Sequence, residues 1–255
     1  MDELLRATAD AEARHFWFRG FRLFVSPFLK QAAGGRRGGL LLDCGCGTGA
    51  NLTLLAELGR AYGFDLAESG LRIGRARGQT RTARASVAAI PFPSGRFDVV
   101  TSFDVLYSLD ASVERAAAAE MFRVLKPGGA AVVNVAAMQM LRGNHSVLSH
   151  EVRRYSRASL GALLTGAGFA VERITYTNAS LFLPMLAARA LQRARGLSAS
   201  DSAASATEEI TVPPAPVNAL LTGVLSLESA WLSLGNSPFG SSLLCLARKP
   251  ASAGT

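Results

Sequence analysis

Residues 40–51 read LLLDCGCGTGAN: an apolar run of strand length, an aspartate, glycines at 45, 47 and 49, and then the start of a helical stretch. Glycines in such a place let the chain turn sharply and let a ligand lie against the main chain without meeting a Cβ. Taken alone the segment is ambiguous, because Gly45, Gly47 and Ala50 also satisfy the loose G-x-G-x-x-G/A pattern of dinucleotide-binding folds. Charge separates the two. A pyrophosphate is an anion held at a helix N-terminus, and Asp43, two residues before the first glycine, repels it while attracting a ligand that carries positive charge. An aspartate capping an ordinary turn is the plain alternative.

Outward from this segment, short apolar runs alternate with helical stretches. LLLDCG, YGFDL, FDVVTSF and AAVVNVA read as buried strands, with helices expected at 50–59, 67–78 and 112–125. That alternation predicts βαβ units in a doubly wound, mostly parallel sheet of α/β class. A helix over 156–167, with Ser156 as N-cap and Gly168 as its stop, precedes a strand, AVERITY. Residues 1–33 read as one or two helices carrying the aromatic-basic cluster His15 to Arg19. Beyond Asn178 come an apolar helix near 180–194, a Ser/Ala/Pro-rich linker or lid at 196–216, and a further helix. In that last helix Asn218, Thr222, Ser226, Ser229 and Ser233 form one polar stripe on an otherwise apolar cylinder, which calls for burial, a partner or a bilayer. Glu228 and the serines interrupt it as a membrane span. SSLLCLARK then closes the sheet. The expected organisation is an N-terminal helical cap at 1–35, a Rossmann-like domain at 36–178, and apolar helices, linker and closing strand at 179–255.

At 255 residues, 49% hydrophobic and 18% charged, the chain suits one well-packed globule rather than a disordered one. Met1 to Asp10 holds no apolar signal core, so a cytoplasmic location is expected, with membrane association left open. Cys44, Cys46 and Cys245 match neither a disulfide framework nor a four-ligand zinc site and read as reduced packing residues; no metal is expected. The net charge of +8 would suit a polyanion. Only Lys30, Lys126 and Lys249 among the 27 basic residues are lysines, however, so the arginine bias reads as base composition, and nucleic acid is not the expected partner.

Four segments in order, DCGCGTG, YGFDLAESGL, AAIPFPSGRFDVV and FRVLKPGG, resemble the class I S-adenosylmethionine-dependent methyltransferases, specifically the type 11 methyltransferase domain group, over about residues 38–135. The resemblance implies S-adenosyl-L-methionine as cofactor, with S-adenosyl-L-homocysteine as product. It implies that Asp43 lies near the methionine ammonium, that Gly45, Cys46 and Gly47 run under the donor, and that Asp65 holds the ribose. Leu66 and Val87 would border the adenine, and Phe103 the methionine moiety. Ser86 stands where the family often has an acid for the adenine amino group. Tyr107-Ser108 replaces a common Glu-His pair, and Tyr107 is a catalytic candidate there.

The acceptor side is expected at 103–110 and 136–155, beyond the ends of the fourth and fifth strands. His145 and His150 are the candidate bases, since imidazole takes a proton near neutral pH. His150 and Arg154 merely tying the loop to the sheet is the alternative. Trp17, Arg19 and Arg154 are the substrate-side candidates, with the His15–Phe18 aromatics shielding a sulfonium by cation-π attraction or simply packing. The apolar C-terminal helices suggest a small, apolar or lipid-like acceptor, peripheral membrane contact, or a homodimer. A nucleic-acid methyltransferase, a non-catalytic donor-binding scaffold and an NAD-dependent oxidoreductase remain the alternatives.

Overall fold

The computed structural model describes residues 8–35, 38–143, 146, 151–194 and 211–251. The strands are β1 (Gly39–Cys44), β2 (Gly59–Asp65), β3 (Thr82–Arg84), β4 (Phe97–Phe103), β5 (Leu125–Ala136), β6 (Ala170–Thr177) and β7 (Ser242–Arg248). The helices are α1 (Phe16–Ala33), α2 (Ala50–Ala56), α3 (Glu68–Ala76), α4 (Ala111–Val124), α5 (Arg157–Gly166), α6 (Phe182–Ala194) and α7 (Ala215–Leu232). One seven-stranded sheet runs β3-β2-β1-β4-β5-β7-β6. β1 to β5 are parallel, and β7 lies antiparallel between β5 and β6. The expected doubly wound α/β sheet is thus present. Strand order reverses between β1 and β4, the switch point at which ligands bind such sheets.

Side chains alternate faces along each strand, and the two faces build separate cores. Leu42, Val100, Val133 and Cys245 pack on one side with Met121 and Val124 of α4 and Leu160 and Leu164 of α5. Their sequence neighbours Leu41, Val99, Val132 and Leu244 pack on the other with Phe24, Val25, Phe28 and Leu29 of α1, with Leu52 and Leu55 of α2, and with Leu225 and Leu232 of α7.

Several local expectations are met at particular residues. Ser156 caps α5 in a capping box with Ser159, and Gly168 follows with φ of 100°. Cys44, Cys46 and Cys245 are buried free thiols. Three placements add to this. β7 is an interior strand, its apolar run flanked on both edges and buried. α1 forms a layer of the core, its inner stripe buried on β4 and β5. The polar stripe of α7 faces inward: Asn218 and Thr222 are buried, and Glu228 accepts from the N–H groups of Ala179 and Ser180 ahead of α6. Most of the expected linker at 196–216 lies outside the described residues. Among the described residues no helix is long and apolar enough to cross a membrane.

α3 presses directly on the glycine loop. A Cβ on Gly74 would lie 2.4 Å from the Thr48 carbonyl oxygen, and one on Gly70 would lie 3.0 Å from that of Gly47. Gly74→Ala is expected to destabilise the chain by about 1–3 kcal/mol through overpacking. Urea unfolding measures this; an unchanged midpoint would show that helix and loop are not held in register.

Candidate active site

The site forms at the carboxyl ends of β1 and β4. Asp43 pairs in register with Thr101 of β4, whose hydroxyl donates to Oδ1 at 2.6 Å. Asp43 is 1% exposed, and its Oδ2 has no hydrogen-bond partner among the described residues. Desolvation pushes this carboxyl up to about 7; the Thr101 bond works against the shift and the nearby Asp65 adds to it. An aspartate normally titrates near 3.8. Ionising Asp43 in the folded chain therefore costs stability, the cost growing as pH rises from the usual aspartate range through about 7. A cation beside Oδ2 would offset it.

The loop after β1 is shaped by what its glycines exclude. A Cβ on Gly45 would lie 2.3 Å from Val105 Cγ2, whereas one on Gly47 would meet nothing within 4 Å, so the loop leaves room on that side. Both have positive φ, 82° and 54°. Asp65, ending β2, accepts from Gly47 N at 2.7 Å and from Ala67 N at 2.8 Å, which fixes the loop against the next strand. Each of its oxygens retains a lone pair for a further donor. Leu66, next in the chain, is 64% exposed. Ser86 follows β3 in a turn where its Oγ accepts from Ala88 N at 3.2 Å, and Val87 packs against the core. Cys46 is buried, with its thiol pushed up by desolvation and by Asp43 and Asp65.

A cavity of about 100 Å³ opens beside this loop, lined by Glu12, Trp17, Phe18, Phe21, Arg22, Ala50, Asn51, Phe103 and Asp104. Phe103 meets Phe21 edge-on at 5.1 Å. Glu12 fastens the segment before α1 to the glycine loop, both its oxygens accepting from Thr48 Oγ1 at 2.8 and 2.9 Å, while Arg22 donates to the Glu12 carbonyl. Burial raises the Glu12 carboxyl above its usual range.

Asp104 was not singled out by the sequence pattern. Its backbone has φ of 60°, its N–H donates to the Asn134 carbonyl, and its Oδ1 accepts from Asn134 Nδ2 at 2.9 Å. The side chain borders the cavity, where solvent reaches it, yet surrounding protein desolvates it enough to push it up to about 7. The Asn134 bond and Arg154 oppose that rise.

The other acceptor-side candidates divide. His145 and His150 lie outside the described residues. Tyr107 sits in a 3₁₀ turn whose carbonyl accepts from Val152 and Arg153, away from the cavity wall. Arg154 binds both oxygens of Glu151, the Ala137 carbonyl and Ser146 Oγ, which ties its loop to the sheet. Arg19 is exposed; the arginine at the cavity is Arg22, one helical turn on. Trp17 and Phe103 both line the cavity. Among the described residues no cluster of His, Cys, Asp and Glu is arranged to hold a metal ion.

A doubly wound sheet with a glycine loop and acidic strand ends at its switch point defines a nucleoside-binding α/β protein. A methyltransferase domain family model matches residues 42–133. The ubiquinone/menaquinone biosynthesis C-methyltransferase UbiE of Azotobacter vinelandii is 30% identical over 198 residues, covering 62% of this chain and 76% of that protein. The same-named protein of Shewanella piezotolerans is 30% identical over 162 residues, covering 57% of this chain and 61% of its own, so the chain spans about three-fifths of that relative's length. Phosphoethanolamine N-methyltransferase 2 of Haemonchus contortus, solved with S-adenosyl-L-methionine, superposes with a TM-score of 0.60 at 16% identity, covering 98% of this chain and 57% of that one. The chain belongs to the class I S-adenosylmethionine-dependent methyltransferases.

The residues fit that donor on one structural ground above all: a buried carboxylate oxygen without a partner beside a loop left open at Gly47. A cation selects ionised Asp43, so affinity for S-adenosylmethionine is expected to rise roughly fivefold or more between pH 6 and pH 7.5. Asp43→Asn should weaken binding and flatten that profile. Calorimetric titration across this range checks it; a flat profile in the native chain removes Asp43 from donor binding.

Proposed function

We propose that this chain transfers a methyl group from S-adenosylmethionine to a small, apolar, lipid-like or quinol-like acceptor, with Asp104 taking the acceptor's proton. The observation that carries this reading is the make-up of the cavity: the Asp104 carboxyl, held by Asn134, set among Trp17, Phe18, Phe21 and Phe103. S-adenosylmethionine, when bound, would supply a methyl group activated by its sulfonium, with S-adenosylhomocysteine as the leaving thioether.

The chain's own residues hold the reactants and move the proton. Asp43 would face the ammonium, Asp65 would accept from the ribose hydroxyls, and Ser86, Val87 and Leu66 would border the adenine. Trp17 and Phe103 would shield positive charge and keep water out, which strengthens every electrostatic contact inside. The aromatic walls favour an apolar acceptor and align it by contact rather than by charge. Asn134 fixes Asp104 at the cavity wall through a side-chain bond to one oxygen, leaving the other free of that contact.

The curated relatives are named as C-methyltransferases, and a carbon acceptor must lose a proton when it gains a methyl group. Such a step needs a base, and Asp104 at the cavity wall is the residue to which we assign it. A base works only when ionised, so kcat should climb as pH rises through about 7 and then level. Asp104→Asn is expected to lower kcat by about 10²-fold or more while leaving donor binding intact. Release of S-adenosylhomocysteine with a panel of hydroquinones, phenols and fatty acids tests both statements. An unchanged kcat in Asp104→Asn removes the base. Donor binding with no turnover on any acceptor would favour the non-catalytic scaffold.

A further inference from the structure

α7 is folded with its apolar side outward. Its one charged residue, Glu228, is buried and capped against the N–H groups of Ala179 and Ser180, and its polar stripe bonds inward: Asn218 to Phe16 N and to the Arg14 carbonyl, and Ser229 to the Leu23 carbonyl. What remains outside is Val217, Leu220, Leu227, Trp231 and Leu234, from 46% to 82% exposed. α1 lies alongside, and its own exposed stripe is Arg19, Leu23, Pro27 and Lys30. Neither exposed stripe carries a carboxylate, and α1 contains none at all.

We propose that this two-helix face docks on an anionic lipid bilayer, with the leucines and Trp231 of α7 entering the interface while Arg19 and Lys30 meet the headgroups. Charge decides between this occupant and a second copy of the chain. A symmetric dimer through α7 would bring the same face of two molecules together, setting cations against cations without an acid to pair them. A bilayer surface of negative charge matches both halves of the face at once, since interfacial helices bind through buried apolar area together with attraction of Lys and Arg to anionic lipid. Tryptophan favours the same headgroup depth. The inner side of α1 lines the cavity through Trp17, Phe18 and Phe21, so docking sets the cavity beside the hydrocarbon. The docking does not depend on which acceptor is methylated, or on whether any is.

Flotation of the full chain with vesicles of phosphatidylcholine alone, and of an equimolar mixture with phosphatidylglycerol, tests it. The native chain should float with the mixed vesicles, and a blue shift of tryptophan emission should accompany binding. Leu227→Ser/Trp231→Ser should lower the partition by about tenfold or more, as should Arg19→Glu/Lys30→Glu on the mixed vesicles. These positions are exposed, so circular dichroism should give native melting midpoints for both variants. The proposal is overturned if the native chain floats with neither vesicle, or if both variants float as well as the native chain. It is overturned equally by a stable dimer that Leu227→Ser/Trp231→Ser converts to monomer, in which case the second copy is the occupant.

Discussion

Asp43 sits in the interior of the sheet, its carboxyl accepting from Thr101 at one oxygen while the second has no partner among the described residues. A buried carboxylate in this state is expensive, and the fold tolerates it because the packing around it is over-determined. β1 is paired on both sides, Asp65 locks the following loop through Gly47, and α3 lies so close that it needs glycine at 70 and 74. The consequence is a rigid loop beside a group that gains most from a positive charge. On the function proposed above, donor selectivity would come from the sheet's interior electrostatics rather than from the surface, where the chain's net charge of +8 would suggest an anionic ligand.

The parts of this arrangement that were legible in the sequence are those dictated locally. An apolar run meeting spaced glycines marks a strand-turn-helix ligand loop, with Asp43 favouring a positively charged ligand, and Ser156 with Gly168 marks both ends of a helix by capping chemistry alone. The strand FDVVTSF matches β4 residue for residue because it is buried on both faces and bounded by turn residues. Features set by tertiary contacts were not legible. β3 is three residues, TAR, on the sheet edge, and its basic, exposed character resembles a solvated loop. The place of β7 between β5 and β6 follows from chain threading, which no local pattern encodes. Asp104 looks like an ordinary acid at a strand end; only the Asn134 contacts, thirty residues away in sequence, and the cavity wall distinguish it.

The stripe on α7 shows what a polar line on an apolar helix is for. Most of its members find partners within the fold: Asn218 completes the start of α1, Thr222 and Ser226 bond back to their own helix, and Ser229 reaches α1, while Ser233 at the helix end is exposed. Gly20 permits the two helices to come this close, since a Cβ there would lie 2.3 Å from Leu225 Cδ1. Leu225 and Leu232 share that inner side with the polar residues, and Leu220 and Leu227 are left on the outside.

Two carboxyls at the ends of adjacent strands, Asp43 on β1 and Asp104 just past β4, are both pushed up to about 7, for the same reason and with different outcomes. Desolvation is the largest cause in each. Asp43 is sealed beneath the loop, so a fixed cation would restore its ionised form, which suits it to binding. Asp104 borders a cavity that solvent can enter, with Asn134 bonded to one oxygen, so its proton could be exchanged with whatever lies in the cavity. On the function proposed above, environment would divide two chemically identical groups into a holder of charge and a taker of protons. Trp17, Phe18 and Phe21 of α1 wall that cavity, and Glu12, bonded to Thr48, fastens the segment ahead of them to the glycine loop.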